Sequence, residues 1–258
     1  MLRPRITPCL LVHKAGLVKT VGFGAPKYVG DPINAVKIFN EKEADELIVL
    51  DIDATVNNVE PDYRMIANLA AECRMPLCYG GGIKSPEQAK RIIGLGVEKI
   101  AISSAAVENP ELITQIADEI GRQSVVVVLD VKKRMFGKEY DVFTMNARNN
   151  TNRSVFDLAA EAERLGAGEL VINSIDLDGA MKGYDLALAR RIRQAVKIPI
   201  TFLGGAGTLS DLEALIRSCG VIGASAGSLF VFKGVYKAVL INYPTLVQRD
   251  ELIRKALS

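Results

Sequence analysis

Five aspartates lie in or a few residues beyond short apolar runs: Asp51 and Asp53, Asp130, and Asp176 and Asp178. Carboxylates at the ends of buried strands can give and take protons when burial or a neighbour tunes their pKa. Asp130, directly after Val125 to Leu129, is the candidate acid–base group, and Lys19 is taken with it as a candidate catalytic residue. Asp51, Asp176 and Asp178 are candidates for a substrate mouth, although each could merely hold a loop by accepting backbone N–H bonds. His13 is the only histidine and reads as a loop side chain. With no second histidine there is no typical zinc site, and neither a metal nor a cofactor is expected.

Two glycine runs carry a second kind of chemistry. Gly80-Gly81-Gly82 and Gly204-Gly205-Ala206-Gly207 each follow a strand signal and precede a helical one. Glycine there lets backbone N–H groups approach an anion, and helix N-termini add favourable partial charge. Ser103, Ser104 and Ser228 follow two further strand signals. Together these residues suggest two phosphate sites, one from Gly81, Gly82, Ser103 and Ser104 and the other from Gly204, Gly205, Gly207 and Ser228. Tight strand-to-helix turns need glycine anyway, so it is the paired placement that favours a substrate phosphorylated at both ends.

The elements that must carry these residues repeat. Leu50-Asp51-Ile52-Asp53 returns as Ile175-Asp176-Leu177-Asp178 after 125 positions, Met75-Pro76 through Gly82 as Ile198-Pro199 through Gly205 after 123, and Ser104 as Ser228 after 124. At an offset of 119, Pro8 to Val12 overlies Val127 to Val131, which sets Leu11 against Asp130. The pattern is that of a two-carboxylate site holding one carboxylate. Strand signals near 5–11, 46–52, 76–80, 98–103, 124–130, 169–174, 198–203 and 221–226 alternate with helical runs near 32–43, 61–74, 85–95, 109–121, 154–165, 184–195, 208–218 and 246–257. Continuous apolar strands between amphipathic helices mean a parallel sheet covered on both faces. Eight such units with a twofold repeat predict a closed (βα)8 barrel, a single domain over residues 1–258. Asp31-Pro32, Ser85-Pro86 and Asn109-Pro110 each predict a capping side chain before proline in the first helical turn. The stretches 12–30 and 131–152 are predicted as long loops on the strand-end face, the first a mobile basic flap carrying Lys14, Lys19 and Lys27.

Composition bounds the class. With 32 basic and 30 acidic residues, scattered along the chain, no nucleic-acid surface is indicated. Cys9, Cys73, Cys78 and Cys219 lack CxxC spacing and read as reduced thiols of a cytoplasmic protein. Residues 1–11 are too short and too broken by proline for a secretion signal, and no apolar run approaches a membrane span.

The segments GDPINA (30–35), LDIDA (50–54), YGGGI (79–83), AVENPELITQIA (106–117), QSVVVVLD (123–130), GAGEL (166–170), SIDLDG (174–179) and GGAG (204–207) resemble the cyclase subunit of imidazole glycerol phosphate synthase over nearly the whole chain. The resemblance implies a barrel that receives ammonia from a glutaminase partner. It then cyclises a doubly phosphorylated substrate to imidazole glycerol phosphate and an aminoimidazole carboxamide ribotide, in histidine biosynthesis. Two aspartates serve there as general acid and base, and one maps onto position 11. Leu11 is thus the main departure, joined by Ser103 for asparagine, Leu177 for arginine, and His13-Lys14 for a lysine–aspartate pair.

The opposite face keeps the family pattern. Arg5, Glu46, Lys99 and Glu169, at the starts of strands one, two, four and six, match a charged ring at the ammonia entrance, though such charges could also just stabilise the barrel bottom. Asp45 and Glu98 resemble docking positions for the glutaminase. Three readings follow. The first is an ammonia-accepting synthase subunit whose altered mouth suits amidation of a surface-polysaccharide sugar beside an ATP-dependent sugar amidotransferase. The second is an orthodox cyclase, and the third a non-catalytic barrel that binds and activates the glutaminase.

Overall fold

The computed structural model describes residues 3–134 and 139–258; residues 1 and 2, and residues 135–138 within the 131–152 stretch, lie outside the described residues. Eight parallel strands form a closed barrel: Arg5–His13, Leu47–Asp51, Leu77–Gly80, Lys99–Ile102, Val125–Lys133, Glu169–Ser174, Ile200–Leu203 and Gly223–Ala226. Each pairs with its chain neighbours, and the eighth returns to the first with Arg5 opposite Gly223. This is the (βα)8 fold expected.

Strand alternation divides the apolar residues into two sets. Cys9, Ile48, Cys78, Ala101, Val126, Val128, Val171 and Leu203 fill the barrel interior, with Leu11 and Leu50 packed on them. Ile6, Leu10, Val12, Val49, Val127, Leu129 and Ile172 face outward into the larger core beneath the helices. Asp31 and Ser85 cap their helices as expected, accepting from Asn34 N and Gln88 N. Asn109 does not. The chain inserts a short helix, Ser104–Glu108, and the next one begins at Glu111 with Pro110 at its cap position. Asn109 closes the first of these helices, so its side chain is not placed to start the second.

The two long stretches are more ordered than the sequence suggested. The first strand runs on to His13, turns through Lys14 and Ala15, and returns as Gly16–Lys19, which pairs in turn with Lys27–Gly30. Lys14 and Ala15 both have positive φ (48° and 60°), the two-residue turn that matches strand twist. After the fifth strand, Tyr140–Thr144 and Asn149–Ser154 build the same antiparallel extension in the second half. The expected mobile flap is therefore a strand extension of the barrel wall. Lys14 and Lys27 are exposed on it, whereas Lys19 is buried.

At the other end, the helix Leu246–Leu257 packs against the helix Leu209–Cys219. Its buried Arg249 forms an ion pair with Asp45, whose second oxygen accepts the Ile6 N–H at 2.9 Å. Both carboxylate oxygens of the half-buried Asp45 are thus engaged within the fold. Glu98 is exposed, with one oxygen accepting the Leu77 N–H at 2.7 Å.

Candidate active site

The base of the barrel is closed by ion pairs. Arg5 reaches Glu46 and Glu169, each at 2.6 Å, and the Lys99 ammonium bridges the same two carboxylates at 2.6 and 2.9 Å. Glu169 also accepts the Thr201 hydroxyl at 2.6 Å. Burial works against charge on Arg5 and Lys99, yet Glu169 and Glu46 raise the pKa of both above its ordinary value. Burial opposes charge on Glu169 as well, and the two cations lower its pKa. Two cations and two carboxylates thus pair in a ring across the axis. Above them lie Cys78, whose thiol is held neutral by burial and the nearby carboxylates, and Thr7, a buried hydroxyl without a hydrogen-bond partner among the described residues.

The opposite end opens into a cavity of about 260 Å³. Asp130, from the fifth strand, is fixed there by the Asn173 side-chain N–H at 2.9 Å and by the Ser103 hydroxyl at 3.5 Å. Burial, helped by the charge of Asp178, pushes its carboxyl up to about 6, against the opposing hydrogen bonds. A carboxyl with this pKa can hold or release a proton near neutrality, as acid–base work requires. Lys19 crosses the wall from the hairpin and donates to the Cys9 carbonyl at 2.6 Å. Burial lowers its pKa, while Asp178 favours its charge. Its ammonium lies against the place a β-carbon at Gly227 would take, so a larger residue there would displace the Lys19 head group. Leu11 lines the same cavity and supplies no proton.

The remaining candidates divide. Gly81, Gly82, Ser103, Ser104, Gly204, Gly205 and Ser228 line the cavity, as do Asp51 and Asp178. Gly81 has φ of +126°, and a β-carbon on it would come within 2.5 Å of the Asp51 carbonyl, so only glycine serves this turn. Some polar capacity is already committed: Gly82 N donates to Thr55 at 3.2 Å, and the Ser104 hydroxyl accepts from Met145 N at 3.0 Å. Asp178 accepts the Thr20 hydroxyl at 2.6 Å, tying the hairpin to the sixth strand's loop. Burial raises the Asp51 pKa, against the N–H groups of Asp53 and Ala54.

Asp176 and Gly207 depart from expectation. A 3-10 turn at Ile175–Leu177 breaks the two-residue alternation, so Asp176 faces solvent and accepts Lys133 N at 3.0 Å. Gly207 N donates to Asp211 at 2.9 Å, next to the capping box of the following helix, and is no part of the cavity wall. The sequence reading overlooked Thr55, Asn146 and Arg148, which also line the cavity. Arg148 brings a cation from the turn of the second hairpin, and only the match between that stretch and the basic first one could have suggested it. Asn146 donates to the Ile52 carbonyl at 2.6 Å, joining the two halves at the rim. Among the described residues no group of three or more His, Cys, Asp or Glu could hold a metal ion.

A family profile of histidine biosynthesis proteins matches residues 5–237. The chain belongs to this family. A Vibrio vulnificus protein provisionally named imidazole glycerol phosphate synthase subunit hisF3 is 58% identical over 253 residues, 98% of this chain and 97% of its own. A Pseudomonas aeruginosa protein provisionally named subunit hisF2 of the same synthase is 51% identical over 250 residues, 97% of this chain and 99% of its own. Imidazole glycerol phosphate synthase subunit HisF of Lactococcus lactis is 41% identical over 230 residues, 89% of each chain. Within the histidine biosynthesis family the chain is thus of the imidazole glycerol phosphate synthase HisF type. Among the described residues no helix is long and apolar enough to cross a membrane.

Proposed function

We propose that this chain is the ammonia-using synthase subunit of a two-protein, glutamine-dependent enzyme whose substrate carries phosphate at both ends. The observation that carries this reading is the axis of the barrel, with a ring of ion-paired charge at one end and an anion-suited mouth containing Asp130 at the other. A glutaminase docked beneath the ring would deliver ammonia through a bore lined by small and apolar side chains. The Gly81–Ser104 and Gly204–Ser228 walls would then hold the two phosphates, with Lys19 and Arg148 adding positive charge.

The names of the relatives favour the cyclisation that yields imidazole glycerol phosphate. Leu11 favours a second reading, in which the same ammonia route serves amidation of a surface-polysaccharide sugar with a separate ATP-dependent amidotransferase. The deciding experiment is expression of the chain in a histidine-requiring cyclase deletion strain, alongside assay of the purified chain with ammonium salts and with a glutaminase. Growth without histidine supports the orthodox cyclase. No growth, combined with glutaminase binding and ammonia transfer in a reconstituted mixture, supports the second reading. Absence of any ammonia-dependent product with either nitrogen source removes both.

A further inference from the structure

We propose that His13, oriented by Asp53, is a second acid–base group of the mouth, supplying the proton transfers for which Leu11 has no group. The inference rests on the ammonia-using reading above and concerns two residues that this reading leaves unassigned. Cys9, Leu11 and His13 alternate along the inward face of the first strand, and all three line the cavity. At about 3.3 Å per residue, His13 is anchored about 7 Å from Leu11 toward the opening. Its backbone is fixed by pairing with Gly16 across the Lys14–Ala15 turn.

Its imidazole is fixed too. His13 Nδ1 lies 2.7 Å from Asp53 Oδ1, while Asp53 Oδ2 accepts the Lys14 N–H at 2.8 Å. A carboxylate only accepts, so Nδ1 carries the hydrogen, and in the neutral ring the lone pair lies on Nε2, turned away from Asp53. Nε2 has no hydrogen-bond partner among the described residues, and the side chain retains 27% exposure, enough to meet a bound molecule. The equivalent strand of the other half holds Asp130, so the two groups stand on walls related by the internal repeat.

The chemistry balances with these groups alone. Ammonia adding to an electrophilic carbonyl carbon forms a C–N bond and leaves a nitrogen with a surplus proton. Nε2 accepts that proton, and Asp53 faces the resulting imidazolium. Returned to the carbonyl-derived oxygen, that proton gives the carbinolamine; a second proton carried from nitrogen to oxygen by the same route lets the hydroxyl leave as water as the C=N bond forms.

Because His13 is the only histidine, ¹⁵N-histidine labelling of the full chain gives one imidazole to observe. Recorded at a pH where the ring is neutral, the expected spectrum shows the Nδ1–H tautomer, and the Nε2 signal moves when the doubly phosphorylated precursor of imidazole glycerol phosphate is added. An Nε2–H tautomer, or a ring unmoved by saturating precursor, overturns the proposal whether or not the chain turns that compound over. In turnover driven by ammonium salts, His13→Asn keeps a donor for Asp53 but lacks the outer nitrogen. It should lower kcat about 10²-fold with KM changed less than about threefold, and added imidazole should partly restore His13→Ala. Turnover by His13→Asn within about threefold of the wild type means that His13 only clamps the turn. A wild type that is silent on the precursor counts against the orthodox cyclisation, and the tautomer and the ring response then decide the proposal.

Discussion

Asp130 combines a chemical advantage with a structural cost. Its carboxyl is pushed up to about 6 by burial, so the folded state binds a proton that an unfolded aspartate releases near pH 4. Folding is therefore favoured more at pH 4 and progressively less as pH rises to about 6, the reverse of a salt-bridged carboxylate. Asp130→Asn should raise unfolding free energy at pH 8 by on the order of 2 kcal/mol and leave it nearly unchanged at pH 4, as read by urea denaturation at the two pH values. The same variant should lose about 10²–10⁴-fold in turnover. Equal stabilities at pH 8 would mean that the carboxyl is not held out of water. At position 11, Leu11→Asp should increase turnover of the histidine-pathway precursor at least about tenfold. A wild type already working at about 1 s⁻¹ or faster would show that Leu11 is no obstacle. Asp130 was legible in the sequence because it ends a buried strand and has a counterpart in the repeat. The His13–Asp53 contact was not, because it joins a strand end to a loop 40 residues away and neither residue type announces its partner.

Hairpins were the least legible elements. The first turns on Lys14-Ala15 and the second through Met145, Asn146 and Ala147, all with positive φ; neither contains the Asn-Gly or Asp-Gly signal that marks such turns. Long polar stretches without that signal read as loops, whereas barrel strands and their covering helices announced themselves through apolar continuity and helical period. The inserted helices Ser104–Glu108 and Ser228–Val231 are too short to show a period. The first hairpin is tied down by the Thr20–Asp178 bond. Thr20→Val removes a hydrogen bond to a charged group, worth about 1.5–3 kcal/mol, and should speed amide exchange across residues 16–24 while the barrel strands keep their protection. Unchanged exchange there would show that strand pairing alone holds the hairpin.

Across the whole molecule, the charged ring was foreseeable from four strand starts, but its stiffness was not. Exposed ion pairs are worth about 0–1 kcal/mol, and on that scale the ring would part easily. Glu46 and Glu169 are only 4% and 5% exposed, however. Lys99→Ala leaves both with one cation fewer and should cost about 3–5 kcal/mol, measured by denaturation. In a complex with a glutaminase it should also raise the ratio of glutamine hydrolysed to product formed. An unchanged ratio would make the ring purely structural. Its make-up also has a bearing on assembly from fragments. Arg5, Glu46 and Lys99 belong to the first half of the chain and only Glu169 to the second, so duplication has not left interchangeable parts. Two first halves brought together would crowd four cations around two carboxylates, and two second halves would oppose two carboxylates with no counter-ion from this set. Only the mixed pair reaches charge parity, which makes the ring a sorting rule by which each half selects the other rather than its own copy.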